Sequence, residues 1–174
     1  YTKTTIGVEP SANVGEMARQ KGIKIYTEFF GSEFTAIKDL ENSVETIYAA
    51  NCICHIPDIN DVFSTAEKLL SDNGHFVYED PYLGSMLSLG SFDQIYDEHT
   101  FIFSVSAVSK LAENNGLKLV DCEWIPTHGG SMRYFVSRDN IPVSPNVNKW
   151  LNYEKTFITL NTFFLALVSH FFIY

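Results

Sequence analysis

The sequence predicts a doubly wound α/β fold, and three observations carry that prediction. Short apolar runs alternate with segments of helical periodicity from Thr5 to Asn115, the βαβα order of a parallel sheet with crossover helices. The run from Glu45 to His55 (ETIYAANCICH) is close to continuously apolar, as in a strand buried on both faces. The last two apolar runs, Leu117 to Ile125 and Ser131 to Ser137, are separated only by PTHGG, which closes the pattern with an antiparallel hairpin.

Each element has its own signal. Thr5 to Glu9 (TIGVE) reads as a strand ending in an acid, and Ser11 can cap a helix from Ala12 to about Lys21 that Gly22 stops. Ile23 to Phe30 reads as a second strand and Glu33 to Glu41 as a short helix. Asp58-Ile59-Asn60 opens a helix running to Leu70, Asp72-Asn73-Gly74 turns the chain, and His75 to Glu79 is the next strand. Asp80 to His99 has little regular signal, and a loop of that length is usually functional or disordered. A helix from about Ser104 to Asn115 follows, with Gly116 placed for its C-cap.

Composition narrows the function classes. A chain of 174 residues, 45% hydrophobic and 14% aromatic, can build one domain with a sizeable core. The net charge of −9, from 21 acidic and 12 basic residues, comes without a basic stripe and argues against nucleic-acid binding. Cys52, Cys54 and Cys122 are odd in number and lack CxxC spacing. That argues against disulfides or a structural zinc site, so no metal is expected, and it suits a reducing cytoplasm. Residues 156–174 hold no charged side chain. The segment is short for a membrane span, lacks basic flanks and contains Asn161 and His170, so a buried helix is the first expectation, with a span and an artificial or out-of-frame tail as the alternatives.

Four stretches hold the candidate chemistry. In GVEPS, Glu9 closes a strand where ligands of doubly wound sheets lie, and its carboxylate could accept from two ribose hydroxyls. An exposed Glu before a turn proline is the plain alternative. In AANCICHIPD, His55 sits at the carboxyl edge of a strand, either as a ligand contact or as a structural histidine, and Asn51 must find partners within an apolar run. FDQIYDEH brings Tyr96, Glu98 and His99 within four positions. His99 can move a proton near neutrality, and Tyr96 can donate to an oxyanion. As a strand this stretch would turn His99 away from Tyr96 and Glu98, so the three converge only on an irregular loop. In THGGSMR, two glycines suit either a plain hairpin turn or close backbone approach to a ligand. Arg133 could meet an anionic substrate or sit at the surface.

Taken in order and spacing, GVEPS, ANCICHIPDIND, FDQIYDEH and PTHGGSMR resemble the S-adenosylmethionine-dependent sugar C-methyltransferases, over roughly residues 5–140. Those enzymes methylate a ring carbon next to the keto group of nucleotide-linked 4-keto-deoxysugars. The resemblance implies a Rossmann-like class I methyltransferase sheet with S-adenosylmethionine as cofactor. It assigns Glu9 and Pro10 to the cofactor ribose, and Phe29, Phe30, Ala50 and Asn51 to the adenine and methionine ends. It places His55, Tyr96, Glu98 and His99 at the reacting centre, with His99 the first choice of base and Tyr96 the second. His128 and Arg133 are left to the substrate. A nucleotide-linked keto-deoxysugar is the implied partner, and the cytoplasm the implied location. Methylation of oxygen or nitrogen, which needs no such base, and a non-catalytic domain paired with another chain remain open alternatives.

The resemblance also sets expectations about what surrounds the chain. The family's zinc-binding N-terminal region, its glycine-rich loop and its first strand have no counterpart here, and the likeness fades beyond about Phe157. Residues 1–140 are expected to form a partial methyltransferase domain, residues 141–174 to begin a further region, and the whole to be the middle of a larger enzyme. In the family's sheet the first strand lies between the strands read at 5–9 and 45–55, so those two are expected to present unpaired edges.

Overall fold

The structure, a computed structural model, describes residues 4–91 and 93–157. The chain runs β1 (Ile6–Val8), α1 (Ala12–Gln20), β2 (Lys24–Tyr26), α2 (Ile37–Leu40), β3 (Val44–Ala50), α3 (Ile59–Leu69) and β4 (Leu70–Pro81). It continues with α4 (Leu83–Leu89), α5 (Val105–Asn114), β5 (Lys118–Ile125) and β6 (Ser131–Ser137). Residues 145–157 are helical.

The strands form two sheets. β1 and β2 pair in parallel, and the second sheet has the order β3-β4-β6-β5. β3 and β4 are parallel, while β6 runs antiparallel to both β4 and β5. The expected break is present: β1 and β3 are in different sheets, and both line a cleft of about 310 Å³ whose walls include Gly7, Val8, Ile47 and Phe76.

That break explains a correction to the reading of residues 45–55. They do not form one buried strand: β3 ends at Ala50, Asn51 takes a left-handed φ of 50°, and Ile53–His55 make a 3-10 turn. β3 is only half covered, with Tyr48 60% exposed, because among the described residues no strand pairs with its outer edge to bring a covering helix. β2 is also shorter than expected, and the predicted helix at 33–41 shrinks to the single turn of α2. The turn expected at Asp72–Gly74 is a bulge inside β4. Pairing jumps from Val44 opposite Leu70 to Thr46 opposite His75. A Cβ at Gly74 would meet the Val44 carbonyl oxygen at 2.6 Å, so only glycine fits the bulge.

The helices that were anticipated have the local chemistry expected of them. Asp58 caps α3 by accepting from the Asp61 N–H at 3.1 Å, and Ile59, Val62, Phe63, Ala66 and Leu69 put one apolar stripe inward. Ser104 caps α5 in the same way, through Ala107 N–H at 3.1 Å. Ser11 does not cap α1: its hydroxyl pairs with Asn13, and the Glu9 carboxylate takes the Ser11 N–H instead. The core joins α3 and α5 to the four-stranded sheet around an aromatic group of Phe63, Phe76, Tyr78, Phe103 and Tyr134.

Two elements had no expectation. α4 fills part of the stretch read as irregular, and the helix at 145–157 docks through a buried carboxylate. Glu154, 3% exposed, accepts from Tyr82 Oη at 3.0 Å, Val105 N at 2.6 Å and Ser106 N at 2.8 Å. It thereby satisfies free N–H groups at the start of α5. Among the described residues no helix is long and apolar enough to cross a membrane, and the apolar run expected to be a buried helix lies largely outside them.

Candidate active site

The site forms where the 3-10 turn after β3 meets the irregular loop before α5. The Cys54 carbonyl accepts from Thr100 N at 2.9 Å and Phe101 N at 3.2 Å, which fastens the loop to the turn. Tyr82 and Phe103 form a β-bridge, and Leu83 N donates to Phe103 O at 2.8 Å, so the loop is also held at the start of α4. The loop is irregular, the condition under which its polar residues can converge.

His99 and Tyr96 do converge. Tyr96 Oη lies 3.0 Å from His99 Nε2, with ring centroids 4.2 Å apart. His99 Nδ1 lies 2.8 Å from the Gln94 carbonyl oxygen, which can only accept, so Nδ1 carries the proton and Nε2 is the basic nitrogen. His55 joins them: its ring is 4.9 Å from that of His99, and its Nδ1 donates to the Glu98 carbonyl at 2.7 Å. Glu98 therefore contributes its backbone, while its side chain is exposed. The opening faces solvent, with Tyr96 47% exposed.

The residues assigned to a cofactor line the carboxyl ends of β1, β2 and β3. Glu9 follows β1, its Oε1 accepting from Ser11 N at 2.8 Å, and it is half-buried beside exposed Pro10. Phe29 is 79% exposed, whereas Phe30 is half-buried and lines the cleft between the two sheets. Ala50 ends β3, and Asn51 Oδ1 is buried without a hydrogen-bond partner. A buried amide oxygen left unpaired costs free energy unless a ligand donates to it. A carboxylate, an orphaned amide oxygen and an aromatic face, at the carboxyl ends of strands from the two sheets, fit an adenosine-bearing cofactor.

The last two assigned residues lie elsewhere. His128 occupies the turn between β5 and β6 with φ 51° and is exposed. Arg133 sits opposite Glu79 and Glu123 across β6, at 2.8 Å and 3.3 Å, and its guanidinium is already matched by two carboxylates.

Sequence reasoning missed two groups. Asp80 lies at the carboxyl end of β4 and is fully buried. Neither carboxylate oxygen makes a well-formed hydrogen bond, although the Cys54 thiol and the backbone of Cys52 and Cys54 approach it. Burial pushes its pKa up to about 6, opposed by those neighbours and by His55. The Cys54 thiol, beside it, is raised chiefly by burial and then by the Asp80 charge. An acid closing a strand was the signal used for Glu9, and it applies equally to Asp80.

Comparison with known proteins identifies the domain that carries these residues. Residues 1–121 match the family model of a methyltransferase domain. C-methyltransferase NovU of Streptomyces niveus is 33% identical over 133 residues, covering 76% of this chain and 32% of that protein. The chain thus spans about a third of the length of that relative. An S-adenosylmethionine-dependent methyltransferase of Thermotoga maritima, described as a possible histamine N-methyltransferase, superposes with a TM-score of 0.60 at 17% identity over 75% of this chain and 72% of its own. Magnesium protoporphyrin IX methyltransferase of Synechocystis, solved with bound SAH, gives 0.56 at 14% identity, over 78% and 64%. The chain belongs to the methyltransferase domain family, and its solved neighbours share a Rossmann-like α/β fold with it.

Proposed function

We propose that this chain carries the reacting centre of a C-methyltransferase that acts on the carbon next to the keto group of a nucleotide-linked 4-keto-deoxysugar. The observation that carries the reading is the Tyr96–His99 pair, with the imidazole oriented by the Gln94 carbonyl. The likeness to NovU supports carbon as the acceptor, and the four motifs support the sugar.

Methylation at carbon needs a nucleophile that the ketone does not offer until it loses a proton. In this reading His99 Nε2 takes the C–H proton, and the electron pair left behind becomes the enolate. The imidazolium that results keeps its Nδ1–H on the Gln94 carbonyl. Tyr96, released from Nε2, turns its O–H to the enolate oxygen. A base contributes about 10²–10⁴-fold and an oxyanion donor about 10²–10³-fold. His55 and the Glu98 backbone hold the far side of the loop. S-adenosylmethionine supplies an electrophilic methyl group, and Glu9, Pro10, Phe29, Phe30, Ala50 and Asn51 would hold it beyond the carboxyl ends of β1, β2 and β3.

The nucleotide end of the substrate has a candidate seat in an aromatic cleft of about 560 Å³ between Tyr82, Trp124, Trp150 and Tyr153, which Gly129 borders. His128, at the same turn, is the better placed polar contact, because Arg133 is engaged by Glu79 and Glu123. The cytoplasm remains the proposed location.

The test is exchange of the α-proton of a nucleotide-linked 4-keto-deoxysugar with solvent deuterium, followed by NMR alongside methyl transfer. His99→Gln is expected to lower both by about 10²–10⁴-fold and Tyr96→Phe by about 10²-fold. Methyl transfer that persists in His99→Gln, or that ends on oxygen, would remove the proposal. Calorimetric titration of S-adenosylhomocysteine into the chain separates a lost cofactor pocket from a lost base.

A further inference from the structure

The loop and the 3-10 turn bring together three side chains that are also metal donors. One donor atom from each of Cys54, His55 and His99 lies within 4.8 Å of the other two. Tetrahedral zinc with Zn–S of about 2.3 Å and Zn–N of about 2.0 Å separates its ligand atoms by roughly 3.5 Å. Closing the cluster onto an ion therefore shortens each donor–donor distance by about 1.3 Å at most.

Two features beyond proximity favour a cation. Both histidines donate Nδ1–H to a backbone carbonyl, His55 to Glu98 at 2.7 Å and His99 to Gln94 at 2.8 Å. That outer contact fixes the tautomer and leaves each Nε2 as an acceptor, the arrangement that orients histidine ligands on metals; at His99 an ion would displace the Tyr96 hydroxyl, which lies 3.0 Å from Nε2. Behind Cys54 lies the Asp80 carboxylate, fully buried and without a well-formed hydrogen bond. A buried carboxylate approached only by a thiol and backbone N–H groups is the field that a divalent cation in front of it would offset.

The geometry points to a site for a thiophilic divalent transition metal, typified by Zn²⁺, held by Cys54 Sγ and by His55 and His99 through Nε2, with a fourth position open to water. A CxxC search cannot find it, because His99 comes from a distant loop. The site shares Nε2 of His99 with the proposed base. Metal binding and proton abstraction would thus exclude each other, a corollary that rests on the proposed function whereas the site itself does not.

The test titrates Zn²⁺ into the metal-free chain by calorimetry and Co²⁺ by absorbance. The expected result is one ion per chain, with a thiolate-to-cobalt charge-transfer band. Affinity should fall at least about tenfold in Cys54→Ser and in His99→Gln, since even outer partners of metal ligands are worth about 10–100-fold. Cys52→Ser should bind as the wild type does, Cys52 being exposed and outside the cluster. Far-UV circular dichroism checks folding, and if Cys54→Ser fails to fold, His99→Gln on the open loop decides alone. The inference is overturned if the folded chain takes up no zinc, if His99→Gln leaves affinity unchanged, or if the cobalt–sulfur band is lost in Cys52→Ser. The titrations read metal uptake, and the deuterium exchange, run with chelator, reads the base in the metal-free chain, so the two proposals fail separately.

Discussion

Replacing Asp80 with Asn should stabilise the fold at neutral pH and not at acid pH. Burial raises the Asp80 pKa from 3.8 to about 6. Two pKa units correspond to ~3 kcal/mol in favour of the protonated form. Because the folded value lies above the unfolded one, the native state binds this proton more tightly. The cost of ionising Asp80 is absent below the unfolded value, grows between pH about 4 and 6, and is fully present above. Wild-type stability should therefore drop across that window as pH rises, while the Asn variant carries no such term. Urea unfolding of both proteins from pH 4 to pH 8, with chelator throughout, measures the difference. The variant should gain ~3 kcal/mol on the wild type between the two ends. An orphaned amide N–H could cost the variant about 1–3 kcal/mol, but it does so at every pH and drops out of the comparison. Parallel profiles would refute the claim that Asp80 is forced to ionise against its environment.

Two further outcomes follow from contacts already described. Glu154→Ala should lower unfolding free energy by ~3 kcal/mol, since the carboxylate is buried and satisfies backbone N–H groups at the start of α5 together with Tyr82. An unchanged urea midpoint would mean that the helix at 145–157 does not hold α5. Arg133→Gln should cost about 1 kcal/mol of stability, as a partly exposed pair does, and leave the KM for the sugar nucleotide unchanged. A large KM rise would instead return Arg133 to the substrate.

Local chemistry made much of this molecule legible. Asp58 and Ser104 cap their helices, and the i, i+3, i+4 stripe of α3 points inward, because a cap and a stripe are settled within a few residues of chain. The order of strands and helices, the closing hairpin and the four motifs are likewise local or sequential. The break between the strands at 5–9 and 45–55 was also readable, once the motifs had suggested a family.

Tertiary structure decided what depends on neighbours distant in sequence. ETIYAANCICH looks like a buried strand, yet β3 stops at Ala50 and stays half exposed, since strand burial is conferred by what packs on it. β6 inserts between β4 and β5, an order that no hairpin signal specifies. Glu154 reads as one more surface acid until Tyr82 and the start of α5 surround it. The meeting of His99 with His55 and Cys54, in front of Asp80, depends on two backbone hydrogen bonds to the Cys54 carbonyl that fasten the loop to the turn. Periodicity and caps report what a residue's own neighbours in sequence can satisfy. The charge, burial and reactivity of a site are set by groups that only the folded chain brings within a few ångströms.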